Sequence, residues 1–194
     1  MSSVRDPLLG ILAISGSLRA RSSNTELLRA AALLAPPTMR VTLYEGLADV
    51  PPFNPDLDEE GAVPPPAVQA LRTLVAAADG VAICSPEYAH GVAGVLKNAL
   101  DWLVSYPALA HKPIALLNAS ARSTIANAAL AETLRTMSTG WVAEASRTVP
   151  LDGRRLDAAE IAADPALATI VRQALASLEE AARAHRRELS GSAT

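Results

Sequence analysis

The chain has 194 residues, enough for one domain with a substantial core. Half of the residues are hydrophobic, 19% are charged and the net charge is −3, which excludes a disordered chain and a broadly basic nucleic-acid binder. No apolar run approaches the ~20 residues of a membrane span, the lone Cys84 cannot form an internal disulfide, and the start, Met1 to Asp6, lacks the pattern of a signal peptide. A cytoplasmic protein without nucleic-acid or membrane partners is expected.

Taken in chain order, Leu8 to Ser15 is a continuous apolar run and predicts a buried strand. Asn24 to Ala35 has helical spacing, with Leu27, Leu28, Ala31, Leu34 and Ala35 on one side. Ser23 and Glu26 have the form of a capping box, and Pro36-Pro37 ends the helix. Arg40 to Glu45 is a second strand. Gly46 to Pro66 is a long loop rich in proline and acid, a length more typical of functional or mobile loops.

Pro66 to Ala78 predicts a helix with Ala67, Leu71, Leu74, Val75 and Ala78 inward. Gly80 to Ser85 is strand three, Ala93 to Val104 a helix, Lys112 to Ala119 strand four and Asn127 to Met137 a helix. A fifth strand lies within Trp141 to Val149. Asp157 to Asp164 is a polar loop or helical turn. Asp164-Pro165 then opens a helix running to about Glu188, and residues 190–194 form a tail. Residues 1–194 thus form a single α/β domain, a doubly wound five-stranded parallel sheet with helices on both faces. Its strand order is flavodoxin-like or that of a shortened Rossmann sheet.

In such sheets ligands bind beyond the carboxyl ends of the strands. The loop after the first strand, Ser15 to Thr25, is neither a G-x-G-x-x-G nor a Walker loop. It is instead rich in hydroxyls, carries Arg19 and Arg21, and opens a helix, which makes it a candidate phosphate cradle. Taken singly, Ser22, Ser23 and Asn24 could serve only as helix caps. The loop after strand three, Ser85 to Gly94, holds Glu87, Tyr88 and His90; an exposed loop histidine is the simpler reading of His90. Cys84 reads as a small core residue. The cations Arg183, Arg186 and Arg187 sit near a helix C-terminus, where the helix dipole accounts for them.

These two loops resemble the signatures of the NADPH-dependent FMN reductases, which include bacterial quinone, chromate and azo-dye reductases. The first signature is Ser15-Gly16-Ser17-Leu18-Arg19 with Ser22 or Ser23 and Asn24. The second is Ser85-Pro86-Glu87-Tyr88 followed by Gly94-Val95-Leu96-Lys97-Asn98-Ala99-Leu100-Asp101-Trp102. The resemblance covers roughly residues 9 to 150. It implies a flavodoxin-like sheet of order 2-1-3-4-5, bound FMN, NADPH or NADH as co-substrate, and a quinone-like, azo or metal-oxyanion acceptor.

It further implies that Ser15, Ser17, Arg19, Ser23, Asn24 and Thr25 hold the FMN phosphate. Pro86, Glu87 and Tyr88 would lie along the ring and ribityl chain, and Ser120 would touch the ring's polar edge. No catalytic side chain or metal is required, because the flavin carries the chemistry. Lys97, Asn98, Asp101 and Trp102 would brace the site and contribute to a homodimer or homotetramer through the Gly94–Trp102 region.

Two departures stand out. Ala89 occupies the place where the family often has Asn, and Asn118 to Asn127 lacks the glycines often found after strand four. The rival functions are a flavodoxin-like FMN electron carrier that does not itself oxidise NAD(P)H, and a flavin-free protein in which the site has decayed.

Overall fold

A computed structural model of the chain describes residues 7–191. The expectations for Met1 to Asp6, and for positions 192–194 of the tail, lie outside the described residues.

The elements are β1 (Leu9–Ser15), α1 (Ser23–Leu34), β2 (Met39–Tyr44), α2 (Pro66–Ala77), β3 (Gly80–Cys84), the hairpin strands β4 (Glu87–Tyr88) and β5 (Gly91–Val92), α3 (Gly94–Asp101), β6 (Pro113–Asn118), α4 (Ile125–Thr136), β7 (Gly140–Trp141), β8 (Arg147–Thr148), α5 (Ala158–Ala163) and α6 (Pro165–Gly191). The main sheet is wholly parallel and runs β2-β1-β3-β6, with β7 and β8 both paired to β6. This is the flavodoxin-like order, its fifth position filled by two short segments. Between them a single turn, Ala143–Ala145, interrupts the strand. The Ser146 hydroxyl accepts from Leu116 N at 3.0 Å and so takes over a ladder position there.

Alternation along the central strands explains the unbroken apolar runs. Leu9, Ile11 and Ala13 of β1, Ala82 and Cys84 of β3, and Ala115 and Leu117 of β6 pack with Leu27 and Leu28 of α1, Ile161 of α5 and Leu175 of α6. Leu12, Ile14, Val81, Ile83, Ile114 and Leu116 point the other way, onto Val68 and Leu71 of α2, Leu96 of α3 and Leu134 of α4. Strands covered on both faces need apolar residues at every position.

Three local expectations are corrected. On α2 it is Val68 that is buried, whereas Leu74 is 42% exposed; the helix is rotated so that Val68, Leu71 and Val75 form its inner face. The cap of α1 is Ser22, whose hydroxyl accepts from Thr25 N at 3.5 Å. Glu26 does not close a box with Ser23. Its carboxylate accepts from Arg29 Nη1 at 2.6 Å and from Ala158 N at 3.0 Å, so it caps α5 instead. Finally, Ser190 and Gly191 belong to the end of α6 and not to a tail.

At the amino end of the sheet, Asp79 accepts from Gly10 N at 2.7 Å and pairs with Arg186. Arg186 also donates to the carbonyls of Pro7 and Leu8, each at 3.1 Å. Arg183 pairs with Glu179 at 2.9 Å. A tertiary ion pair therefore engages Arg186, and an i,i+4 pair within α6 engages Arg183, beyond the helix dipole. Among the described residues no helix is long and apolar enough to cross a membrane.

Candidate functional site

Strand order reverses between β1 and β3, and the chain leaves both at their carboxyl ends. A cleft of about 930 Å³ opens there. One wall is the loop from Arg19 to Asn24 with Glu26. The floor is Pro86, Glu87, Ala119 and Ser120, and the far wall is Leu151 to Asp157. A shallower space of about 410 Å³ continues from it, bounded by Glu87, Ala89, His90, Ser120, Arg122 and Ser123.

The loop after β1 is held from behind by its own hydroxyls. Ser15 Oγ and Thr25 Oγ1 share a hydrogen bond of 2.8 Å, Ser17 N donates to Ser15 Oγ at 3.3 Å, and Arg19 N donates to Ser17 Oγ at 3.4 Å. Gly16 N donates to Cys84 O at 2.8 Å, so the loop starts pressed against the end of β3. A Cβ on Gly16 would stand 2.7 Å from Ser85 Oγ, and glycine is required there for space. The Cys84 thiol, pushed up in pKa by burial, donates to Asn24 Oδ1 at 3.2 Å.

The expected residues therefore divide into two groups. Arg19, Ser23, Asn24, Pro86, Glu87 and Ser120 line the cleft, while Ser15, Ser17 and Thr25 form the scaffold behind it. Tyr88 lies on the β4–β5 hairpin, is 53% exposed and does not line the cleft.

Glu87 ties the hairpin to α4. One carboxylate oxygen accepts from Ala126 N at 2.9 Å and the other meets His90 Nδ1 at 2.9 Å. The helix N–H, then the imidazole, hold its carboxyl below the usual range. Between β4 and β5 both Ala89 (φ 49°) and His90 (φ 59°) are left-handed. Two such residues in a two-residue hairpin make a type I′ turn, which asparagine and glycine fit far better than alanine. Ala89→Asn is expected to stabilise the protein by about 0.5–1 kcal/mol, a gain of about 1–4 °C in a thermal melt. A lower midpoint would show that the turn carries no strain.

Asp152 organises the loop after β6. It accepts a very short hydrogen bond from the Ser120 hydroxyl, takes Ala121 N at 2.8 Å and meets Arg122 Nε at 3.2 Å. The Ser120 hydroxyl, followed by Ala121 N–H, keeps its carboxyl below the usual range. Sequence reading passed over Asp152, which lies 32 positions from Ser120 in a stretch with no motif. Arg154 and Arg155 were missed for the same reason.

The expected bracing residues work elsewhere. Asn98 accepts from Phe53 N at 2.8 Å and donates to the carbonyls of Val50 and Pro51 at 3.3 and 2.9 Å. Trp102 Nε1 donates to Pro51 O at 2.8 Å, and its ring meets Phe53 edge to face at 5.0 Å. Both side chains pin the proline-rich loop, and Trp102, 0% exposed, is closed to any subunit contact. Lys97 and Asp101 form an ion pair of 2.5 Å along the outer side of α3.

A doubly wound sheet with a hydroxyl- and arginine-walled cleft at its switch point defines a protein of the flavodoxin-like class. The family model for NADPH-dependent FMN reductase matches residues 9–150, and the chain belongs to that family. It is 42% identical over 113 residues to an NAD(P)H-dependent FMN reductase of Pseudomonas aeruginosa, covering 57% of this chain and 60% of that protein. It is 39% identical over 114 residues to a quinone reductase of Escherichia coli, covering 58% and 60%. The chain thus spans about three fifths of the length of these relatives. Among solved structures, a flavoenzyme NAD(P)H:(acceptor) oxidoreductase of Paracoccus denitrificans superposes with a TM-score of 0.69 at 24% identity, over 89% of this chain and 98% of that one.

Proposed function

We propose that the protein is an NAD(P)H-dependent flavin oxidoreductase that passes electrons to a small quinone-like, azo or metal-oxyanion acceptor. The observation that carries this reading is the cleft at the β1–β3 switch point. There Ser23 and Asn24, at the start of α1, and the guanidinium of Arg19, which has no ion pair among the described residues, share one wall. That donor set fits the phosphate of FMN. Relatives named as FMN, quinone and azo reductases support the acceptor class.

When bound, FMN supplies two-electron exchange between NADPH or NADH and the acceptor. The chain's residues bind and orient it. Arg19, Ser23 and Asn24 hold the phosphate, on a loop kept in shape by Ser15, Ser17 and Thr25. Pro86 and Glu87 flank the ring and ribityl chain, with Tyr88 at the hairpin rim, and Ser120 presents a polar edge that Asp152 fixes in place. The buried, lone Cys84 fits a reducing, cytoplasmic setting. A homodimer or homotetramer would use the exposed side of α3 with Lys97, and Val104 just beyond it, and not Trp102.

The test is titration of the apoprotein with FMN. Arg19→Ala should weaken binding about ten- to hundredfold, the worth of a charge-assisted hydrogen bond. Unchanged affinity would defeat the assignment. The alternative, an FMN carrier, is separated by NAD(P)H oxidation with excess quinone, which a carrier would not catalyse.

A further inference from the structure

The hydroxyl proton of Ser120 is committed. It is donated to Asp152 in a very short hydrogen bond, and Ser120 Oγ accepts from Arg122 N at 3.2 Å. A hydroxyl has one donor and two acceptor sites. One acceptor site of Ser120 is therefore left, on a half-buried side chain that lines the cleft.

Asp152 is itself fixed by its neighbour. Leu151 is buried and its N–H donates to Ala119 O at 3.1 Å, so the chain after β8 runs along the loop after β6. Three donors converge on the Asp152 carboxylate. Ser120 Oγ and Arg122 Nε meet one oxygen, and Ala121 N meets the other at 2.8 Å. The Ser120 hydroxyl, then Ala121 N–H, keep its carboxyl below the usual range, so it is ionised at neutral pH and only accepts. Asp152 lies just beyond the family-matched residues 9–150.

We propose that Asp152 is a positioning residue: by holding the Ser120 proton it makes Ser120 an acceptor only, matched to the single N–H of the flavin ring. This rests on the flavin reading above. The oxidised isoalloxazine ring carries its one N–H at N3. Its other polar edge atoms, N1, N5 and the two carbonyl oxygens, accept.

Asp152→Asn reverses the arrangement. The amide has one oxygen where the carboxylate has two. Ala121 N–H is backbone and cannot rotate away, so the amide oxygen serves it and the amide NH2 faces Ser120 Oγ. With both acceptor sites of Ser120 then filled, its proton turns to the cleft, and a donor faces the N3–H. A donor left without an acceptor costs more than a missing hydrogen bond.

The experiment titrates apoprotein of wild type, Ser120→Ala, Asp152→Asn and the double variant with FMN, riboflavin and 3-methylriboflavin, which lacks the N3–H. Ser120→Ala should cut the preference for riboflavin over 3-methylriboflavin about three- to tenfold. Asp152→Asn should weaken FMN and riboflavin alike, by about tenfold or more, and the double variant should recover to the level of Ser120→Ala. Loss of the Asp152 charge alone would instead tighten FMN, whose phosphate is anionic. A double variant as weak as Asp152→Asn shows a merely structural role and overturns the inference. So does an Asp152→Asn chain with wild-type affinities. Ser120→Ala decides even where Asp152→Asn does not fold, because an unchanged preference for riboflavin also overturns it. In each of these cases the flavin function stands. A wild-type chain that binds neither FMN nor riboflavin overturns both.

Discussion

Trp102→Ala should lower the free energy of unfolding by about 3–5 kcal/mol, the range for removing a large buried aromatic side chain. In a chain of this size that corresponds to a fall of roughly 6–20 °C in Tm. Trp102 closes α3, packs edge to face on Phe53 and donates to the Pro51 carbonyl at 2.8 Å. Its own carbonyl accepts from Arg72 at 2.6 Å, and Arg72 reaches on to Asp58 at 2.6 Å. The side chain thus joins α3 to the proline-rich loop, while the backbone carbonyl ties in α2 through Arg72. Trp102→Phe should cost less, because it keeps most of the packing and loses chiefly the bond to Pro51, worth about 0.5–1.5 kcal/mol since that carbonyl keeps its bond from Asn98. Urea unfolding of the two variants checks both figures. An alanine variant within about 1 kcal/mol of wild type would show that the loop is held by other means.

Gly16→Val should damage the phosphate wall directly. Even a Cβ at this position stands 2.7 Å from Ser85 Oγ, 3.1 Å from Ser85 Cβ and 3.2 Å from Leu96 Cδ2. A branched side chain must push β1 and β3 apart at the point where Gly16 N meets Cys84 O. Overpacking of this kind costs about 1–3 kcal/mol. The displacement also carries Ser17 and Arg19 away from α1, so FMN affinity should fall by about tenfold or more. Gly16→Ala combined with Ser85→Ala should recover part of the affinity lost in Gly16→Ala alone, because the nearest clashing atom is gone. No recovery would place the damage elsewhere. Fluorescence titration with FMN alongside urea unfolding separates the two effects.

The sheet and the loop after β1 were legible in the sequence because their causes are local. Ile11 to Ser15, Val81 to Cys84 and Ile114 to Asn118 are apolar at nearly every position, and only burial on both faces asks for that. The hydroxyl-rich stretch after β1 announced a helix start and an anion cradle through residues adjacent in the chain. Where local reading assigned individual partners it went wrong. Glu26 had the spacing of a capping box, yet its carboxylate is taken by Arg29 and by α5, which is 132 residues distant at Ala158. Leu74 fitted an apolar stripe, but the rotation of α2 that buries Val68 leaves it in solvent.

The aromatic residues show the same division. Tyr88, Trp102 and Tyr106 fall close together in sequence. In the fold, Trp102 turns onto the proline-rich loop, the Tyr106 ring sits 5.3 Å from the Arg72 guanidinium, and Tyr88 lies on an exposed hairpin. The sequence by itself determined an aliphatic parallel sheet, the alternation of its helices and the chemistry of the loop after β1. Hydrophobic period and turn composition act over a few residues and can be read directly. Only the tertiary structure decided which wall faces that loop. Asp152, Arg154 and Arg155 come to the cleft because the chain, after its last strand, crosses the end of the sheet, and no local pattern records where a long-range crossing will land.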